Sequence, residues 1–276
     1  MDISVVIPCY NHGNVLRRAV MSVVAQSVDS REIVIVDDGS TDKTLKKAVT
    51  YANKFKNVEI TVIRTRNRGL SCARNLGISA ARGEFILPLD ADDWIEPHTL
   101  EKMREVLAGD CEAVAVAASM VRFGRNDGRV WSPPPYSREI ETERNVIPYC
   151  SMFRRASWSE VGGYRAEMFG YEDWEFWISL GEVGSIRQIP DVLLHYNSSD
   201  SGLLAASVKH DLELRARIIR LHPKIYGSEC KGIAERIVDG KGIDPGELLN
   251  APHKILSNSR IAWLYSRSLV LQPEIL

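Results

Sequence analysis

The sequence lacks the features that mark several classes of protein. Its formal net charge of -1 over 276 residues gives no overall attraction to nucleic acid. No apolar run is long enough to span a bilayer, and the first residues lack the pattern of a signal peptide. The five cysteines are odd in number, widely spaced and without a CxxC pair. They predict reduced thiols in a cytoplasmic protein, either soluble or peripherally attached to a membrane, and not a disulfide or zinc framework.

Apolar segments alternate with helical patterns through the first 121 residues. Buried strands are predicted over 4–7, 32–36, 58–63, 84–89 and 112–121. Helices are predicted over 14–26, 41–54, 70–81 and 95–107. Strands that alternate with helices pair in parallel, with helices on both faces of the sheet. The sequence therefore predicts an α/β fold with a mostly parallel central sheet flanked by helices.

The pattern weakens after residue 121. Residues 123–146 have a loop-like composition, with three consecutive prolines at 133–135. Short strands are predicted over 148–154 and 192–196, and helices over 171–180 and 203–221. Mixed helical signals from residue 223 predict a helical extension over 223–276.

Chemically reactive side chains follow three of the predicted strands, in the loops 8–11, 37–40 and 90–93. The carboxyl ends of parallel strands meet at one edge of a sheet, and ligands bind in the crevice beyond that edge. A polar loop after one strand is common. Three such loops at one edge predict a ligand site.

The acidic cluster Asp90-Ala91-Asp92-Asp93 is the strongest mark of chemistry. Three carboxylates at the mouth of an apolar strand repel one another unless a cation pairs with them. Oxygen ligands suit the hard ions Mg2+ and Mn2+, which can neutralise a departing diphosphate. Capping of the following helix is the alternative, and it explains Asp93 better than Asp90 or Asp92.

Other side chains at this edge suit a nucleotide. Asp38 can accept a hydrogen bond from a base or a ribose hydroxyl, or it can cap the helix after Thr41. The arginines of segment 64–74 suit phosphate recognition, although a solvated basic surface explains them equally well.

Segment 172–177 mixes carboxylates with large aromatic side chains. A desolvated carboxylate in such a segment can have a raised pKa and act as a general base. An amphipathic helix with buried aromatics and solvated acids explains the same pattern, and the residues alone favour that interpretation.

Taken in order, these motifs resemble those of the family-2 inverting glycosyltransferases. They are SVVIPCYN from residue 4, VDDGSTD from 36, NRGLSCARNLG from 67, GEFILPLDADD from 83, GGY from 162 and YEDWE from 171. One motif alone would be weak evidence, but their order across residues 3 to about 200 is highly specific. The resemblance implies the GT-A fold, which has a Rossmann-like sheet.

The resemblance also implies a role for each motif. Asp92 would bind a divalent metal, Mn2+ or Mg2+, and Asp90 would contact the metal or the ribose. Asp173 would be the catalytic base, with Glu172 beside it. The implied donor-binding residues are Pro8, Tyr10, Asn11, Asp38, Arg66, Asn67, Arg74 and Asp90.

The implied reaction moves a sugar from a nucleotide-sugar donor, with a UDP-sugar favoured, to a saccharide or lipid-linked saccharide acceptor with inversion. It would serve cell-envelope or extracellular polysaccharide or glycolipid synthesis, in the cytoplasm or at the inner face of the cell membrane. Residues 1–121 would form the donor-binding half, and residues 122–222 the acceptor side with the catalytic base. The extension could pack on the acceptor side, form a homodimer, or lie on a membrane surface.

Two features leave alternatives open. Many family members have Arg and His where this chain has Asn197 and Ser199, so His195 or Asp200 could supply the third metal ligand, if there is one. A plain strand position explains His195 better than metal binding does. A nucleotidyltransferase that forms sugar nucleotides would use similar carboxylates, but it needs a glycine-rich loop where this chain has only Gly13. A non-catalytic sugar-nucleotide-binding protein would not need Asp173.

Overall fold

The computed structural model describes residues 2–124, 128–198 and 203–241. Its strands are β1 (Ile3–Cys9), β2 (Arg31–Asp38), β3 (Glu59–Thr65), β4 (Phe85–Pro88), β5 (Trp94–Ile95), β6 (Ala113–Gly124), β7 (Arg129–Trp131), β8 (Met152–Arg154) and β9 (Ser185–Ser198). Its helices are α1 (Leu16–Val24), α2 (Thr44–Lys54), α3 (Leu70–Ala80), α4 (Thr99–Gly109), α5 (Arg138–Glu143), α6 (Arg155–Val161), α7 (Glu172–Val183), α8 (Leu203–Lys209), α9 (Asp211–Leu221) and α10 (Pro223–Val238).

The strands of the described chain form one sheet in the order β3-β2-β1-β4-β8-β6-β9-β5, with β7 beside β6. The neighbours β3, β2, β1 and β4 are parallel. Strand β8 runs antiparallel to both β4 and β6. The α/β fold is confirmed, and the parallel half places the carboxyl ends of β1, β2 and β4 at the same edge of the sheet.

Helices cover both faces of the sheet because its central strands are apolar on both sides. Every residue of β1 and β2 is buried. Successive side chains of a strand point to opposite faces. The face that carries Val5 packs on α1, α2 and α4, and the face that carries Val6 packs on α3 and α7.

Several short elements were not predicted from the sequence. The predicted loop 123–146 contains β7 and α5. The predicted helix 95–107 begins only at Thr99, because Trp94 and Ile95 pair with β9 as the short strand β5. Strand β9 begins at Ser185, seven residues before the predicted start at 192, and its partly buried residues give no clean apolar alternation.

Residues 203–241, the last described range, belong to a second compact unit. The helix predicted over 203–221 is two helices, α8 and α9, that meet at His210. Helix α10 is kinked at Gly227, whose φ is 85°. No helix in the described ranges is both long enough and apolar enough to cross a membrane. The functional boundaries predicted at residues 121 and 222 stay predictions.

A substitution at Gly77 tests how closely α3 packs on the sheet. A Cβ atom on Gly77 would lie 2.4 Å from Val6 Cγ1 and 3.0 Å from Val36 Cγ2. We expect Gly77→Ala to lower the free energy of unfolding by about 1–3 kcal/mol, because the helix must shift from the sheet. Gly109→Ala is the matched control, since a Cβ there has no neighbour within 4 Å. Urea unfolding of both variants measures the difference, and equal midpoints would contradict this packing.

Candidate active site

The loops after β1 and β2 are tied together by Asn11. Its Oδ1 atom accepts hydrogen bonds from the N–H groups of Thr41 at 2.8 Å and Asp42 at 3.3 Å. Its own N–H donates to Ser40 Oγ at 2.9 Å. Asn11 has a φ of 58°, a left-handed conformation that Asn adopts more readily than most residues. The two loops therefore form one connected rim at the sheet edge.

Asp38 connects this rim to the loop before α3. Its Oδ1 and Oδ2 atoms accept hydrogen bonds from the N–H groups of Arg68 and Gly69, each at 2.9 Å. The capping of α2 considered for Asp38 is therefore wrong. The residue at the N-cap of α2 is Lys43, and the carboxylate near this helix start is that of Asp42, whose Oδ1 accepts from Thr44 N–H at 2.8 Å. A carboxylate has about four acceptor positions, so Asp38 keeps lone pairs for a further hydrogen-bond donor.

The loop before α3 lies close to the loops after β1 and β2, so the predicted donor-binding residues of the three loops are near one another. Gly39, with φ of 78°, allows this approach, because a Cβ there would lie 2.6 Å from the backbone nitrogen of Asn67. Arg66, Asn67 and Tyr10 are exposed, whereas Pro8 is buried within β1. Pro8 can therefore shape the site through the backbone, and the other three through their side chains.

The acidic cluster after β4 divides into three environments. Asp93 is 1% exposed; its Oδ2 accepts from the Tyr149 hydroxyl and its Oδ1 from Asn197 N–H at 2.6 Å. Burial raises the pKa of Asp93 well above its usual value. Helix α4 begins at Thr99, after His98, so the helix-capping role considered for Asp93 is wrong.

Asp90 and Asp92 remain partly accessible. Asp92 Oδ2 accepts from Asn197 Nδ2 at 3.0 Å, and the Asp92 backbone carbonyl accepts from Arg18 Nη2 at 2.8 Å. Asp90 Oδ1 accepts from Arg74 Nη2 at 3.0 Å. Within residues 2–124 and 128–198, no group donates a hydrogen bond to Asp90 Oδ2 or Asp92 Oδ1. One carboxylate oxygen of each residue is thus available to a ligand.

Arg74 joins the acidic cluster to α7. Its side chain is 1% exposed, and its Nη1 donates to Glu172 Oε1 at 2.7 Å while Nη2 bonds Asp90. Burial alone would lower the pKa of Arg74, but the charges of Asp90 and Glu172 raise it well above its usual value. Direct phosphate contact, predicted for Arg74, does not fit this burial. Its observed role is to bridge two carboxylates.

Asp173 follows Glu172 in the first turn of α7. Tyr171, just before the helix, has a φ of 54°, which turns the chain sharply into α7. Asp173 Oδ2 accepts from Asn145 Nδ2 at 3.0 Å. Burial, and then the charge of Glu172, raise the pKa of Asp173 to about 7. A carboxylate that titrates near neutral pH suits general-base catalysis.

The donor set fits a divalent metal bound jointly with a substrate. The described residues contain no group of three or more His, Cys, Asp or Glu side chains that could hold a metal ion. Mg2+ is commonly bound by one or two carboxylates together with substrate phosphates, which suits the available oxygens of Asp90 and Asp92. His195 stacks on Trp94 at 4.5 Å and bonds Glu96, so it is not placed as a third ligand. Asp200 lies outside the described residues.

Two residues of this region, Asn145 and Tyr149, were missed by sequence reasoning, because each is uncharged and lies in no motif that indicates catalysis. Asn197 was noted only as the residue that replaces the usual Arg, and its contact with Asp92 was not predicted. The Tyr149 hydroxyl contacts both the first and the last residue of the acidic cluster 90–93. It accepts from Asp90 N–H at 3.1 Å and donates to Asp93 Oδ2.

Comparison with known families shows which family the chain belongs to. The family model "Glycosyl transferase family 2" matches residues 4–162. The chain belongs to glycosyl transferase family 2. The resemblance inferred from the motifs is thereby confirmed.

Relatives within the family include an uncharacterized glycosyltransferase of Bacillus subtilis, YwdF. It is 30% identical over 211 residues, which cover 73% of this chain and 76% of YwdF. Chondroitin synthase of Escherichia coli is 30% identical over 192 residues, covering 68% of this chain. Those residues are only 27% of the synthase, so the chain spans about a quarter of that relative.

Solved structures confirm the GT-A fold. S. aureus TarS in complex with UDP-GlcNAc matches with a TM-score of 0.66 and 22% identity, over 80% of this chain and 67% of that one. A mannosyltransferase from Pyrobaculum calidifontis in complex with GDP-Man and Mn2+ matches with a TM-score of 0.64 and 19% identity, over 98% of this chain and 79% of that one.

Replacing Arg74 tests the bridge. We expect Arg74→Met to lower the free energy of unfolding by about 3 kcal/mol or more, because it leaves the buried Glu172 carboxylate without its partner. Arg104→Met is the matched control, because the side chains of Arg104 and its partner Asp2 are 41% and 42% exposed. Loss of this surface ion pair should cost less than about 1 kcal/mol. Urea unfolding followed by tryptophan fluorescence compares them. Equal losses would show that the Arg74 bridge contributes no more than a surface pair.

Proposed function

We propose that this chain transfers a sugar from a nucleotide-diphosphate sugar to an acceptor hydroxyl, with inversion at the anomeric carbon. The observation that supports it most is the Arg74 bridge between Asp90, after β4, and Glu172, at the start of α7. This bridge brings Asp173, a carboxylate with a pKa of about 7, to the edge that carries the predicted donor residues.

The proposed reaction is a single displacement. Asp173 takes the proton of the acceptor hydroxyl, and the oxygen forms a bond to the anomeric carbon on the face opposite the donor phosphate. The bond between that carbon and the phosphate oxygen breaks, and the nucleoside diphosphate leaves with the bonding electrons. One base is sufficient for inversion, because the enzyme forms no covalent intermediate.

The donor half of the site binds and orients the nucleotide. Asp38 would accept hydrogen bonds from the nucleoside, beside the exposed Tyr10, Arg66 and Asn67. Asp92 and Asp90 would hold Mn2+ or Mg2+, which when bound offsets the negative charge of the diphosphate. Asn197 donates to one oxygen of Asp92, and the other oxygen would be available to the metal.

The first donors to test follow from the relatives. TarS was solved with UDP-GlcNAc and with UDP, and the Pyrobaculum calidifontis mannosyltransferase with GDP-Man and Mn2+. A UDP-sugar is our preferred donor. The relatives named for chondroitin and hyaluronan synthesis favour a saccharide or lipid-linked saccharide acceptor, in polysaccharide synthesis.

Donor binding can be tested without an acceptor. We expect UDP, UDP-GlcNAc or GDP-Man with Mn2+ to raise the melting temperature by several degrees, because a ligand of the native state stabilises it. Asp92→Ala should remove the Mn2+-dependent part of this shift. Asp191→Ala is the matched control, since that carboxylate pairs with Lys102 away from the cluster. Absence of any shift across the panel would contradict the proposed donor site.

The base can be tested by pH dependence. Asp173 must be ionised to accept a proton, so kcat should fall about tenfold per pH unit below a pH of about 7. Asp173→Asn should abolish transfer and leave the donor-induced shift in melting temperature unchanged. Nucleoside diphosphate release at saturating donor measures kcat. If kcat falls only near pH 4, or if Asp173→Asn still turns over, the catalytic base is a residue other than Asp173.

A further inference from the structure

The hydrogen bond from Asn145 to Asp173 has no part in the mechanism above. Asn145 lies in the turn between α5 and β8, 28 residues before Asp173, and its Nδ2 is 3.0 Å from Asp173 Oδ2. We propose that Asn145 is a positioning residue that holds one oxygen of Asp173 and leaves Oδ1 for the acceptor hydroxyl. This inference rests on the proposed function of Asp173.

The orientation of the Asn145 amide is fixed by its own backbone neighbours. Asn145 Oδ1 accepts from Ile147 N–H at 3.1 Å. A flipped amide would lose that bond and would place its oxygen against the Asp173 carboxylate. The donor side of the amide must therefore face Asp173.

The turn that carries Asn145 is anchored to the helix that carries Asp173. Glu141, on α5, is 1% exposed, and its Oε2 accepts from Val146 N–H at 3.0 Å. Trp174 Nε1, on α7, donates to the Glu141 backbone carbonyl at 2.5 Å. Glu141 is therefore bonded both to the residue after Asn145 and to the residue after Asp173. These two hydrogen bonds hold Asn145 and Asp173 at a fixed separation.

A neutral donor suits a base that must titrate near pH 7. A hydrogen bond to a carboxylate favours its ionised form and lowers its pKa, but less than a cation at the same distance. The Asn145 bond therefore offsets part of the rise in the pKa of Asp173 that burial and Glu172 cause. The titratable groups around Asp173 are Glu172 on α7, Arg74 on α3, Glu141 on α5, Tyr164 before α7 and Tyr196 on β9.

Infrared titration of the full chain measures the contact without any substrate. The carboxyl band of Asp173 is obtained by subtracting the infrared spectrum of Asp173→Asn from that of the wild type. The same difference is then taken between Asn145→Ala and the double variant Asn145→Ala/Asp173→Asn. We expect a higher titration midpoint in the Asn145→Ala background, because the charged carboxylate loses a donor. A midpoint that does not change would overturn the proposal.

Asn145→Asp separates positioning from support of the turn. Its carboxylate can still accept from Ile147 N–H, so the turn keeps its bond, but it offers Asp173 a negative charge in place of a donor. We expect kcat at pH 7 to fall at least about tenfold and the acid limb to move to higher pH. The donor-induced melting shift should not change. Asn53→Asp, on the exposed end of α2, controls for added charge.

The two experiments fail in distinguishable ways. If Asn145→Asp keeps the wild-type kcat and acid limb, Asn145 only supports the turn and the proposal is wrong. If wild type shows no transfer with UDP-GlcNAc or GDP-Man and a panel of saccharide acceptors, the proposed function is in question. The infrared midpoint then still decides whether Asn145 tunes Asp173.

Discussion

The burial of one guanidinium group, that of Arg74, is the constraint on which the site depends. A charged side chain that is 1% exposed needs partners, and its two carboxylates come from the end of β4 and the start of α7. The rings of Tyr149 and Tyr164 each lie 5.4 Å from the guanidinium and complete its surroundings. Arg74 can be buried at low cost only when the end of β4 and the start of α7 are both in place.

The three carboxylates after β4 have different chemistry because they have different neighbours. Asp90 faces a cation, Asp92 faces an amide, and Asp93 faces a phenol and a backbone N–H. The bond from Asp93 N–H to the Asp90 carbonyl, 3.1 Å long, closes the turn that separates them. Repulsion within the cluster is thus reduced by distinct partners, and two oxygens remain open at the sheet edge.

The parts of the fold that could be predicted are those encoded by local pattern. Apolar runs such as 32–36 identified the parallel strands, and parallel strands bring their following loops to one edge. The contacts of Asn145, Tyr149 and Asn197 could not be found in this way, because their partners lie 28, 56 and 105 residues away in sequence. The burial of Arg74 was missed for the same reason, since an arginine in a basic segment gives no sign of a distant Glu172.

The ties made by Asn11 and Asp38 have a thermodynamic consequence for ligand binding. Three loops that would otherwise sample many backbone conformations are fixed to one another by side-chain acceptors. Their conformational entropy is lost when the chain folds, so the proposed nucleotide would not have to order this rim again. Loosening this rim should therefore lower the affinity for the proposed nucleotide, in addition to any contact to the nucleotide that is lost.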